Sequence, residues 1–391
     1  MRFKALLAVA AVFAATAVAP SNPAGAGPSA GGISSDNVEW IKHVPMVNGV
    51  GGRLIGKYFY VNDQNMVRIL DVSDPENPVE TGRVLMPQQY MYSREDIDGN
   101  GKILIIPNDL TSAADGSPST ENPTNALYVI DVEDKTNPQI IAEVHGAAQH
   151  TVSCVLDCKY AYGSDGNIID LRNPAKPKFL EEKWGDGPGV VAKNGHDVEE
   201  IAPGLVLTAT QPMMLLDARK DPVHPKMLAL GSNLDARFIH SVRWAQGGKD
   251  DFIVAGGETN NRVRCNETTG AFMTWDARNW EKTRTFKMID EYRMVNGTFA
   301  DGNPAANVWG CSSHWLEPSP HFDDGGIVAI AFFEHGTRFV DVSSAGKIKE
   351  IGYFMPHAGN TGATYWITDE ILYAVDYGRG MDILRWTGPK Q

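Results

Sequence analysis

A short β-type segment ending in aspartate recurs along this chain, and only a set of similar sheets can use such a repeat. The best-formed copy runs from Tyr58 to Pro78: two strand-like runs with a polar turn between them, then Asp71 and an Asp-Pro-Glu-Asn-Pro loop. The same plan returns at Leu127 to Pro138, Ile168 to Pro177, Met214 to Pro222, Phe272 to Arg278, Arg338 to Ser343 and Met381 to Trp386. The anchoring acids are Asp71, Asp131, Asp170, Asp217, Asp276, Asp341 and, more loosely, Asp382. Self-similarity at intervals of about 40–65 residues falls in the range of propeller blades.

The stretches Val67-Arg-Ile-Leu-Asp71, Leu127-Tyr-Val-Ile-Asp131 and Arg338-Phe-Val-Asp341 resemble the third-strand consensus of the LVIVD-repeat family of β-propellers. That resemblance implies fold and leaves function open, because propellers carry many activities. The expected architecture is all-β: a seven-bladed β-propeller of four-stranded blades over residues 37–388. Outer strands are expected at 79–85, 139–144, 178–183, 226–230, 282–288 and 347–354. The seventh unit has no such stretch behind it. The segment Asn37-Val-Glu-Trp-Ile-Lys-His43 supplies the missing strand and would close the ring.

Ahead of the repeats, Arg2 and Lys4 precede an apolar run from Ala5 to Ala19, and Ala24-Gly25-Ala26 offers a small-residue cleavage site. Residues 1–26 thus read as a secretory signal peptide and 27–36 as a disordered linker. The protein is expected to be secreted or held in the cell envelope, with no transmembrane segment. Its formal charge of −13 becomes −15 once Arg2 and Lys4 are removed. Such an acid excess argues against a nucleic-acid partner.

Four histidines open strand-like runs in one manner: His150-Thr-Val-Ser, His196-Asp-Val-Glu, His240-Ser-Val-Arg and His314-Trp-Leu-Glu. They precede their aspartates Asp170, Asp217, Asp276 and Asp341 by 20, 21, 36 and 27 residues. Insertions near 259–270 and 318–326 account for the two longer spacings. One repeated position, at the start of the innermost strand, would point four imidazoles at a common axis. The corresponding positions elsewhere fall near Gly51, Ser93 and Gly362. A competing reading gives each histidine only a hydrogen bond between blades.

Four imidazoles suit one transition-metal ion, Fe or Cu in preference to Zn, and leave coordination positions open. Around them, Asp165, Glu258, His357, Asp376 and Arg379 are expected to form a substrate face, with His335 and Glu334 as candidate proton-handling groups. The opposite end of the channel is expected to lack such a set. Four cysteines in an exported chain predict two disulfides, Cys154–Cys158 and Cys265–Cys311, with metal ligation by Cys311 as the alternative to the second.

The resulting expectation is an exported, metal-dependent oxidoreductase acting on a small molecule. Its architecture is similar to that of the carotenoid cleavage oxygenases and of the selenium-binding/methanethiol oxidase propellers. The alternatives are a non-catalytic binding propeller with a protein or glycan partner, and a Zn-dependent hydrolase.

Overall fold

The computed structural model describes residues 31–63, 65–86, 95–108, 125–147, 150–232, 238–258, 270–294 and 312–389. Among these the chain is built almost entirely of β-strands arranged in antiparallel sheets. One sheet orders Gly49–Ile55, Tyr58–Asp63, Met66–Asp71 and Val79–Leu85 as consecutive neighbours. The same order recurs from Asp98–Gly99 to Gln139–His145 and from Val152–Val155 to Lys178–Lys183. Two further sets, Asp197–Ala202 to Lys226–Gly231 and Ile239–Arg243 to Thr285–Tyr292, are joined edge to edge by a short parallel pairing. The next set runs from Leu316–Pro318 to Ile348–Pro356. In the last, Thr361–Trp366, Ile371–Asp376 and Gly380–Trp386 are followed by the N-terminal strand Val38–Pro45, paired antiparallel to Gly380–Trp386.

Two local readings change. Gly32–Ser34, within the stretch expected to lack structure, pairs antiparallel with Phe354, Met355 and Pro356 as a fifth strand. The outer strand expected from residue 282 begins at Thr285, because Trp280–Thr283 forms a single helical turn between Asn279 and Arg284, both with positive φ.

The sequence pattern follows from burial. Middle strands such as Tyr58–Asp63 and Ile103–Asn108 are covered on both faces and read as continuous apolar runs. Outer strands such as Lys178–Lys183 are mostly exposed and carry charge. Each sheet packs its face on the next. Val67 and Ile69 meet Leu104 and Tyr128, Ile105 and Val129 meet Val152 and Ile169, and so on to Tyr373 and Ile383, which meet Phe59 and Leu70. The first strands also pack on one another in sequence, and Thr361–Trp366 packs beside Gly49–Ile55.

The repeating aspartate has a physical role. Oδ1 of Asp71, Asp131, Asp170, Asp217 and Asp276 accepts the backbone N–H of Ser73, Glu133, Arg172, Arg219 and Arg278 respectively. Each such Asx turn reverses the chain toward the outer strand. In the last three, the arginine also grips the same carboxylate through two nitrogens. Asp382 departs from this plan and accepts Trp40 Nε1 at 3.0 Å and Arg379 Nη2 at 3.1 Å.

Candidate metal centre

The four histidines converge. Ring centroids are 4.9 Å apart for His150 and His196, 3.7 Å for His196 and His240, and 4.1 Å for His240 and His314. Their position at the heads of adjacent first strands brings this about, because each strand delivers its imidazole to the same end of the sheet stack.

The sequence reading missed the residue at the middle of the cluster. Glu95 Oε2 lies 3.3 Å from His150 Nε2, 3.5 Å from His240 Nε2 and 3.3 Å from His314 Nε2. Its other oxygen accepts the Tyr377 hydroxyl at 2.7 Å, and Trp315 Nε1 donates to Oε2 at 3.4 Å. Counting residues had put the neutral equivalent of the histidines near Ser93, which lies outside the described residues. The usable signal was cadence: Glu95-Asp-Ile-Asp98 has the same polar, Asp, aliphatic, acid order as His196-Asp-Val-Glu199.

Gly51 makes room for this acid, since a Cβ there would stand 1.8 Å from the Glu95 carbonyl oxygen. Glu258 completes the cluster at 4.0 Å from His240 Nε2 and 3.7 Å from His314 Nε2. Within 4.8 Å of one another lie single ligand atoms from Glu95, His196 and His240, and likewise from His240, Glu258 and His314.

Hydrogen bonds set which nitrogen faces the centre. His196 Nδ1 lies 3.1 Å from the His240 carbonyl, and His314 Nδ1 lies 2.5 Å from that of Gly362. A carbonyl only accepts, so both Nδ1 atoms carry the proton and donate it. That assignment leaves Nε2 available toward the centre. The bond between neighbouring inner strands and the convergence on one point are therefore made by opposite nitrogens of one ring. Thr151 and Ser241 hydroxyls continue the stitching, donating to the carbonyls of His196 and His314.

The electrostatics are those of a buried mixed cluster. Burial pushes the His196 imidazole well below its ordinary pKa, with His240 and His150 adding to the effect. Burial and His314 bring His240 down to about 3. Burial opposes charge on Glu95, but His314 and His150 outweigh it and hold the carboxyl well below the usual range. His314 shifts up, since Glu95 and Glu258 overcome its burial. Glu258 is pushed up to about 7 by burial. Groups with opposing shifts around one buried point are a recurring mark of functional sites.

The remaining candidates are held by other partners. His335 is 2 % exposed, in the tight turn where Gly336 N donates to the Phe333 carbonyl. Glu334 lies in the same turn. It is Phe333 that reaches the cluster, its ring 4.5 Å from that of His314. Asp165 accepts Asn167 Nδ2 at 2.7 Å. Asp376 accepts the backbone N–H groups of Asn360 and Gly378. Arg379 forms an ion pair with Asp382 at 3.1 Å. His357 is exposed. The Cys154–Cys158 disulfide is present, with Cα atoms 4.4 Å apart; Cys265 and Cys311 lie outside the described residues.

The far end of the inner strands also differs from expectation. There Arg53, Asp98, Glu199, Arg243 and Glu317 form a second charged layer, the last four each three residues beyond Glu95, His196, His240 and His314. Trp315 lies between the layers, 5.2 Å from the His240 ring and 5.6 Å from the Arg243 guanidinium.

Among known families, the LVIVD repeat model matches residues 53–86. No curated protein matches the sequence. Among solved structures the chain is similar to the crystal structure of the Myceliophteria thermophila Cps50 (Swd1) β-propeller domain. The TM-score is 0.58 and identity 11%, covering 89% of this chain and 99% of that one. At that identity the likeness speaks for fold alone. Among the described residues, no helix is long and apolar enough to cross a membrane. The chain is a β-propeller that carries an LVIVD repeat.

Proposed function

We propose that the protein is an exported seven-bladed propeller, closed by its N-terminal strand, that holds one transition-metal ion at the end of its channel. The pairing of Val38–Pro45 with Gly380–Trp386 and the packing of Thr361–Trp366 on Gly49–Ile55 support closure. The carrying observation for the metal is the approach of three imidazole Nε2 atoms to one buried carboxylate oxygen, at 3.3–3.5 Å. His196 and His314, with Nδ1 bound to a carbonyl, are in the tautomer that a metal-ligating histidine uses.

His150, His196, His240 and His314 are the ligands in this reading, and Glu95 is a fifth, anionic donor. Nitrogen donors with one carboxylate suit Fe or Cu, and the function is an oxidoreductase acting on a small molecule. The protein contributes the buried wall of Trp315, Phe333 and Tyr377, which covers the His240 and His314 rings. Loading the full chain with Fe or Cu and recording electron paramagnetic resonance spectra tests this. Nitrogen hyperfine structure that disappears in His240→Ala is the expected result. Selective retention of Zn, with Fe and Cu excluded, would favour hydrolysis instead.

A second reading rests on one observation: the opposed shifts of Glu95 and His314 also describe a self-sufficient ion network. A non-catalytic binding propeller would then use the cluster only to hold adjacent blades together.

A further inference from the structure

The last sheet carries glycine where its neighbours carry histidine. The Gly362 carbonyl faces His314 Nδ1 just as the His240 carbonyl faces His196 Nδ1. Gly362 therefore occupies the histidine position of the strand Thr361–Trp366. A Cβ there would stand 2.6 Å from Cε2 of Tyr377. The tyrosine ring fills the space beside a missing side chain, 6.0 Å from the His314 ring.

The surroundings leave this ring one direction. Tyr377 directly follows the strand Ile371–Asp376, and its backbone N–H donates to the Asn360 carbonyl at 3.0 Å. Asp376 ties the same turn by accepting the N–H groups of Asn360 and Gly378. Phe333 stacks on the ring at 6.2 Å with the planes 17° apart, and Val50 packs with both. The Tyr377 hydroxyl then donates to Glu95 Oε1 at 2.7 Å, the usual length of a good O–H···O bond.

This bond divides the two oxygens of Glu95. Oε1 is taken by Tyr377, while Oε2 faces three imidazole Nε2 atoms at 3.3–3.5 Å. Ligand atoms bound to one ion at about 2.1 Å in a tetrahedral set stand about 3.4 Å apart. Oε2 thus already keeps a ligand's spacing from the histidines. Turning the carboxyl group so that both oxygens face the centre would break the Tyr377 bond.

We propose that Tyr377 is a positioning residue of the metal centre: its hydroxyl keeps Glu95 a one-oxygen ligand and tunes the reduction potential of the bound ion. This rests on the reading of the histidine cluster as a metal site. A hydrogen bond to the non-ligating oxygen draws electron density from the carboxylate, which then donates less to the ion. Without that bond Glu95 donates more strongly, which favours the higher oxidation state and lowers the potential. Its orientation also loosens, and the reduced ion is held less tightly.

The test loads the full chain with copper(II) chloride or iron(II) sulfate and compares the parent with Tyr377→Phe and Tyr373→Phe. Tyr373 is the control, a buried tyrosine of the same sheet whose hydroxyl donates to the Pro75 carbonyl at 2.7 Å. Tyr377→Phe is expected to move the potential of the bound ion to a more negative value. It is also expected to weaken affinity for the reduced ion at least tenfold in chelator competition, while circular dichroism shows it folded. Tyr373→Phe is expected to change neither. Biosynthetic replacement of tyrosine by 3-fluorotyrosine, a stronger donor that keeps the ring, is expected to move the potential the opposite way. The proposal is overturned if the metal-loaded Tyr377→Phe matches the parent in both quantities, if Tyr373→Phe shifts them as far, or if 3-fluorotyrosine leaves the potential unchanged. A parent that retains neither metal overturns the metal reading itself, and the role of Tyr377 with it.

Discussion

Glu95 Oε2 and His314 Nε2 stand 3.3 Å apart, joining residues 219 positions apart in sequence across the inner strands. The acid is 5 % exposed and the histidine fully buried. This pair fixes the point on which the other imidazoles converge and explains why burial does not neutralise Glu95.

Replacement of Glu95 by Gln keeps the shape and removes the charge. Metal affinity is expected to fall on the order of tenfold to a hundredfold, read by competition with a chromophoric chelator. Unchanged affinity would remove Glu95 from the ligand set.

Gly51→Ala tests the same acid from behind. A Cβ there would meet the Glu95 carbonyl at 1.8 Å, so the backbone must shift. Overpacking of this kind costs about 1–3 kcal/mol. Both urea stability and metal affinity are expected to drop. A stability loss with affinity intact would show that Glu95 need not be held in this place.

Much of this was legible in the sequence, for specific reasons. The aspartate repeat was visible because Asx turns need that side chain at a fixed offset, as Asp71 and Asp217 show. The histidines stood out because four copies of a rare residue occupy one position. Glu95 did not, because the strand that follows it, Asp98–Gly99, is two residues long and offers little alternation to count from. Arg53, Glu199 and Glu317 are ordinary strand residues in sequence, and only the packing of separate inner strands makes them neighbours.

The Cys154–Cys158 bridge closes a very short loop in which Leu156, Asp157 and Cys158 all have positive φ. Such backbone is costly without Gly, and the crosslink retains it. Cys154→Ser with Cys158→Ser is expected to lower stability by about 2 kcal/mol in urea unfolding, with metal content unchanged. No loss of stability would mean that the turn holds itself.

His335 gives a pH dependence. Burial, with Arg338 adding to it, depresses its pKa to about 4, below the value near 6.5 of an unfolded chain. Between these limits the unfolded chain takes up a proton that the folded one refuses. Stability from this group is therefore complete above about pH 6.5 and is lost as pH falls toward 4. The loss amounts to roughly 3 kcal/mol. His335→Gln should flatten the difference in urea midpoint between pH 7 and pH 4.5 relative to the parent. An identical pH slope in both proteins would contradict it.

Elemental analysis of the purified protein, expressed from the complete sequence, decides whether the histidine cluster holds a metal. One Fe or Cu per chain is predicted, lost in His196→Ala and in His314→Ala while circular dichroism shows both variants folded. A purified protein that retains no stoichiometric metal, or one whose metal survives both substitutions, would rule out a metal centre at these histidines.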